Sequence, residues 1–262
     1  MAELALMQKP EPAPALAESL AERRLQLPGG VIGADGRCHQ MVRVRELTGA
    51  DEEVLAERTA ANGARLVTGF LARVIAEIEG LERRVDEDLV SDMLVGDRDY
   101  LLLRLRQIDL GDHVHQVMRC PSPACGKKVD VDFLVSEIEV TRASAVLPSY
   151  RVQLGEGAAA ITASVRLPTG RDQEAIASLA ATNPAAANTR LFSRVVQRWG
   201  KAGTLDEDAA RALPLRQRSD LAAFLERTSP GPDLYLDLRC AWCGVEMGYR
   251  FDLDGFFLPS AR

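Results

Sequence analysis

The chain has 262 residues, 47% of them hydrophobic, enough to bury one large core or two small ones without a metal's help. Its net charge of −6 and pI near 5.3 give no overall attraction to nucleic acid or to an anionic membrane surface. The longest apolar runs fall far short of the roughly 20 residues of a membrane span, and the first residues lack a basic region followed by an apolar stretch. A soluble, cytoplasmic protein without a secretion signal is therefore expected. Lys9, Lys127, Lys128 and Lys201 are the only lysines, so positive charge is nearly all arginine; this suits planar contacts to carboxylates, and genomic base composition accounts for it equally.

Residues 1–26 carry Pro10, Pro12 and Pro14 ahead of an Ala/Glu/Arg stretch, the composition of a mobile arm able to form a helix on a partner. Leu27-Pro28-Gly29-Gly30 reads as a turn, and the loop continues from Gly33 to Gly36. Alternation from Met41 to Arg45 predicts a strand with one wet face. Thr48 followed by acids at 51–53 predicts a helix start, the side chain of Thr48 capping the free amide of Asp51. Two or three helices should follow, to about residue 109. One carries the stripe Leu66, Phe70, Val74 and Ile78, and the last packs Leu101, Leu102, Leu103, Leu105 and Ile108. Strand character returns at Val114–Met118 and again at Lys128–Phe133, making a hairpin whose turn holds Cys120 and Cys125.

The second half repeats the first. Val44-Arg45-Glu46-Leu47-Thr48-Gly49-Ala50-Asp51 aligns with Val165-Arg166-Leu167-Pro168-Thr169-Gly170-Arg171-Asp172, and Arg119-Cys120 through Cys125-Gly126 aligns with Arg239-Cys240 through Cys243-Gly244. The offsets, 121 for Thr48 to Thr169 and 120 for Cys120 to Cys240, agree within a short gap. The expected organisation is an arm over 1–26, a first repeat over 27–140 and a second over 141–262. Its fold class is α+β, with each repeat made of helices and a β-hairpin knuckle, and the repeats joined through one shared four-cysteine site.

Cys-x₄-Cys and Cys-x₂-Cys supply four thiolates, which fill the tetrahedron of one structural Zn²⁺ and leave no position for water or substrate. A glycine follows Cys125 and Cys243, as a knuckle turn requires. Arg119, Lys127, Lys128 and Arg239 are placed to offset the net −2 of such a site. By this reading Cys120, Cys125, Cys240 and Cys243 are metal ligands. Cys38-His39 is an incidental pair in a loop; His113 and His115, and the carboxylates Asp130, Asp132, Asp252 and Asp254, occupy wet hairpin faces. No phosphate loop, serine elbow or His-Glu-x-x-His helix occurs, so no enzyme is expected. Partner contacts are expected from the arm and from Phe256, Phe257 and Leu258.

In their order, Leu27-Pro28-x-Gly30, Val44 to Glu53, Leu110 to His115, Val129-Asp130-Val131-Asp132-Phe133 and a last knuckle closing on Phe256-Phe257 resemble the zinc-bearing baseplate hub family of T-even-type phages, with relatives in contractile injection systems. The likeness covers residues 27–140 well and the final 25 residues more loosely. The first knuckle's Cys-x₄-Cys is wider than the family's expected Cys-x₂-Cys, and the middle is long. The resemblance implies a structural or assembly protein contacting other baseplate or tail subunits, as part of the particle or as an assembly factor, without catalysis. The rival reading from another class is a zinc-ribbon module that binds nucleic acid or a polymerase; 5% aromatic residues and an acidic balance offer it few stacking or phosphate contacts.

Overall fold

The computed structural model describes residues 23–57, 62–157, 160–201 and 203–250. The chain opens on two antiparallel strands, β1 (Arg24–Ile32) and β2 (Cys38–Val44), joined by a turn in which the Gly36 amide bonds to the Gly33 carbonyl. β1 starts within the stretch expected to be an arm, because Leu25 faces inward and is buried against β2. The expected turn at Leu27–Gly30 is instead a bulge inside β1, where the register shifts between Gln26 and Val31. Gly30, at φ +108°, supplies the backbone bend that a side chain would strain.

Helices α1 (Gly49–Ala56) and α2 (Gly63–Val74) follow, then β3 (Ile75–Ile78), which pairs with β2 and completes a sheet of order β1-β2-β3. The stripe Leu66–Phe70–Val74 was expected to run on to Ile78 in one helix. The helix stops at Val74, since Val74 and Ile75 are both buried side by side and the branched Ile75 pairs with Val44 of the central strand. Next come α3 (Glu87–Asp92), capped by the Asp86 carboxylate on the Leu89 amide, and α4 (Val95–Leu110), whose Tyr100 to Leu103 and Leu105 are all buried. Among the described residues the first region thus has four helices where two or three were expected; short α3 has too few residues to show a period. The hairpin of β4 (His113–Arg119) and β5 (Lys128–Leu134) ends this region.

The order then recurs: β6 (Val140–Thr141), β7 (Tyr150–Leu154), β8 (Ile161–Val165), α5 (Gly170–Thr182), α6 (Pro184–Val195), β9 (Val196–Trp199), α7 (Glu207–Ala212), α8 (Leu215–Thr228), β10 (Gly231–Pro232), and the hairpin of β11 (Tyr235–Arg239) and β12 (Glu246–Arg250). The second sheet, β7-β8-β9, has the same antiparallel order as the first, and a register shift follows Arg43 in one and Ser164 in the other. Side-chain bonds recur with it. Arg45 pairs with Asp51 and Arg166 with Asp172; Thr68 donates to the Ala64 carbonyl and Thr189 to that of Ala185; Asp86 and Asp206 cap α3 and α7 alike. Arg98 and Arg218 reach those same two carbonyls, at 2.8 and 3.1 Å.

Each region has its own core, one around Phe70, Leu101 and Val42 and the other around Phe192, Leu221 and Val165. Residues 139–143 and 230–234 both lie on the N-terminal region: β6 pairs with β10, Ala143 bonds to the Pro28 carbonyl, and Leu234 enters the first core.

Candidate metal centre

Both hairpins end in the same kind of turn. In the first, Cys120 donates its amide to the Lys127 carbonyl at 2.9 Å, and the Cys125 and Gly126 amides converge on Ser122. In the second, Cys240 donates to Val245 at 3.0 Å and Gly244 returns to Cys240 at 2.9 Å. Gly126 and Gly244 have φ of +55° and +71°, so each turn needs the residue that tolerates left-handed backbone. These turns bring the four sulfurs within 4.8 Å of one another. Cys120 Sγ lies 3.6 Å from Cys243 Sγ and Cys125 Sγ 3.9 Å from Cys240 Sγ. A tetrahedron of thiolates at the zinc–sulfur bond length has edges of about 3.8 Å. The four side chains thus form a set that can hold a metal ion, and the first cysteine of each knuckle faces the second of the other, a local twofold arrangement.

The surroundings suit such a use. Cys120 and Cys240 are buried, Cys125 is half-buried and Cys243 exposed, over a small core of Val129, Val131 and Met247. Burial, with the neighbouring sulfurs, pushes the Cys120 thiol up to about 12. Burial acts the same way at Cys240, but the amides of Cys243 and Trp242 and the thiols of Cys120 and Cys243 outweigh it and bring that group down to about 7. A cation is the counter-charge that turns all four into thiolates together. Of the expected offsetting cations, Lys127 sits 4.4 Å over the ring of Trp242, whereas Arg239 is drawn across its own hairpin to Glu246.

Trp242 also donates its indole N–H to the Lys128 carbonyl at 2.9 Å, a bond from one knuckle to the other that the sequence reading missed. Its signal was an aromatic residue inside Cys-Ala-Trp-Cys. The other sequence candidates fall elsewhere. Cys38 bonds to the Gly29 carbonyl, with its thiol raised by burial and by Asp97; His39 faces Glu79 and Asp35. His113 and His115 line an exposed hairpin face with Asp130 and Asp132. Asp252, Asp254, Phe256, Phe257 and Leu258 lie outside the described residues, as does most of the expected arm.

The profile of the family described as T4 bacteriophage base plate protein matches residues 37–258, which takes in β2 and β3 of the first sheet, the whole second sheet, both knuckles and all four clustered cysteines. The chain belongs to that family. No curated protein and no solved structure matches it. Membership in the T4 baseplate family agrees with the resemblance read from the motifs, and the match takes in residues 141–235, which those motifs do not reach. Among the described residues, no helix is long and apolar enough to cross a membrane.

Proposed function

We propose that this chain is a structural or assembly subunit of the baseplate of a contractile phage tail or contractile injection system. One zinc ion on Cys120, Cys125, Cys240 and Cys243 clamps its two related units, 27–140 and 141–262, and the arm is confined to the residues ahead of β1. The observation that carries the reading is the family match over residues 37–258. The sulfur cluster supports zinc because four thiolates in a tetrahedron favour that ion among common divalent metals, and a full sulfur shell leaves no open position for catalysis. The ion's contribution is then to folding: it ties together residues more than a hundred positions apart, while the knuckle backbones orient the sulfurs. Family membership implies contacts with other baseplate or tail subunits, and the arm with Phe256, Phe257 and Leu258 supplies candidate surfaces for them.

The test is metal content by mass spectrometry on the intact chain and on Cys243→Ser, followed by affinity capture of each from its native host. One zinc per chain, lost in the variant together with tail or baseplate partners, is the expected result. Zinc with nucleic acid or polymerase and no tail proteins would keep the centre and discard the baseplate role. An intact chain without metal would end the zinc proposal.

A further inference from the structure

The two related regions meet through surfaces that are not reciprocal, and this leaves one of each surface without an internal partner among the described residues. In the contact that is made, the segment before α4 meets the segment before α5. Val95 donates its amide to the Pro168 carbonyl at 3.1 Å, Gly170 donates to the Met93 carbonyl at 3.0 Å, and Leu94 bridges Thr169. Arg171 pairs with Asp88 and Asp92, and Thr68 donates to Glu174. A Cβ on Gly170 would stand 1.4 Å from Arg98 Nη1, so only glycine lets the guanidinium lie there.

The repeat supplies a second copy of each surface. Leu213-Pro214-Leu215 before α8 occupies the place of Met93-Leu94-Val95, and Leu47-Thr48-Gly49 before α1 occupies the place of Pro168-Thr169-Gly170. Both are open. Leu215 is 83% exposed, and Thr48, Gly49 and Ala50 are exposed where Gly170 is buried. A Cβ on Gly49 would meet nothing within 4 Å. Pro214 has no N–H, but its counterpart Leu94 uses none in the internal contact, so proline costs that pairing nothing. The charges differ in sense. Internally, Arg171 on the α5 side meets carboxylates on the α3–α4 side; on the open surfaces, exposed Glu52 and Glu53 sit on the α1 side, and exposed Arg211 and Arg216, which pair within their own chain with Asp208 and Glu156, sit on the α7–α8 side.

We propose that these surfaces bind each other between copies of this chain: Leu213–Leu215 of one copy docks on Leu47–Gly49 of the next. The Leu215 amide meets the Leu47 carbonyl, the Gly49 amide meets the Leu213 carbonyl, and Arg218 lies over Gly49 as Arg98 lies over Gly170. Such a contact is head-to-tail, so copies add in one direction and end as a ring where the rotation closes. It is also distinct from the knuckle contact, which is reciprocal and complete within one chain.

Sedimentation velocity on the full chain over a wide concentration range tests this, with Leu215→Glu and Gly49→Gln as single variants and as an equimolar mixture. Both positions are exposed, so each variant keeps its fold, checked by circular dichroism. The wild-type mass should rise with concentration, and each variant alone should fall to the monomer mass. The mixture should regain association but stop at one-to-one dimers, because one intact surface of each kind remains. A wild-type chain that stays monomeric throughout, a variant that associates as the wild type does, or a mixture that stays monomeric would each overturn the proposal.

Discussion

Asp51 and Asp172 are carboxylates almost wholly removed from water, and each is held by arginine and by the threonine that precedes its helix. The hydrogen bonds of Arg45, with the Thr48 amide and hydroxyl, hold Asp51 well below the usual carboxylate range, and burial opposes them. At Asp172 burial is the largest influence and pushes upward, but Arg166, the Thr169 amide and Arg194 together leave the group lowered. The cap at Thr48 is a capping box: its expected half, Thr48 toward the Asp51 amide, is joined by the reciprocal one, in which the acid accepts from the Thr48 amide and hydroxyl. A carboxylate held below its unfolded value of about 3.9 contributes stability that is present above that pH and lost as pH falls below it. Asp172→Asn should accordingly cost about 2–3 kcal/mol at pH 7, less than a fully buried pair because both guanidiniums reach water, and the deficit should shrink in acid. Urea unfolding at pH 7 and pH 3 measures both; an equal deficit at the two pH values would deny the ion pairs their role. Asp97 behaves oppositely. Burial raises it to about 6, against the Gly29 and Gly30 amides that it accepts at 2.7 and 2.8 Å. With the folded value above the unfolded one, its contribution falls as pH rises from about 4 to 6 and is flat beyond. In Asp97→Asn one amide loses its acceptor, at roughly 1–2 kcal/mol, but that slope disappears, so the gap to wild type should narrow as pH rises from about 4 to 6. A gap that widens over that interval would contradict the assignment.

At the scale of elements, two glycines that share a sequence motif are held to different standards. Gly49 and Gly170 both open a helix after threonine, yet the Gly170 site is filled by Arg98 and Gly49 faces open space. Gly170→Ala should destabilise by about 1–3 kcal/mol, as overpacking does. Gly49→Ala should be neutral or stabilising by up to about 1 kcal/mol, since alanine orders the first turn at no steric cost. Thermal unfolding of dilute, monomeric protein compares the two, and equal effects would show that the contact between α4 and α5 is not tight. The motif Thr-Gly-x-Asp was legible in both places because capping is local: a stretch of four residues carries its chemistry. The same holds for the knuckles, where Cys-x₄-Cys-Gly and Cys-x₂-Cys-Gly announce turn and ligands in a few residues. The arginines were not legible, because Arg45 to Asp51 is short in sequence but Arg171 to Asp88 and Arg98 to Gly170 depend on how two regions are set against each other. The end of α2 was missed for a related reason. Val74 to Ile78 keeps a spacing of four whether it is helix or a short strand, and only pairing with Val44 decides.

Over the whole molecule, the fold holds two cores and a third, smaller one that belongs to the knuckles. The third is built from two two-stranded hairpins, structures that are marginal alone in water. Its apolar content is Val129, Val131, Met247 and the cysteines, linked to the first core through Phe133. The first two cores contain none of the four cysteines, and the regions are held to each other by the α4–α5 contact without any metal. Stability should therefore be unevenly distributed. A metal that closes a loop of more than a hundred residues can contribute roughly 4 kcal/mol by chain-entropy arithmetic, and most of that should be felt where the backbone has least else to hold it. Chelation is expected to speed amide exchange in β11 and β12 most, and in β4 and β5 less because Val114 and Val135 are anchored in the first core. The strands β2 and β8, central in their sheets, should keep their protection. Hydrogen exchange read by mass spectrometry, with and without chelator, separates this local role from a global one. Loss of protection in β2 and β8 together with the hairpins would mean that the metal holds the entire chain folded, and unchanged exchange in β11 and β12 would mean that it holds nothing.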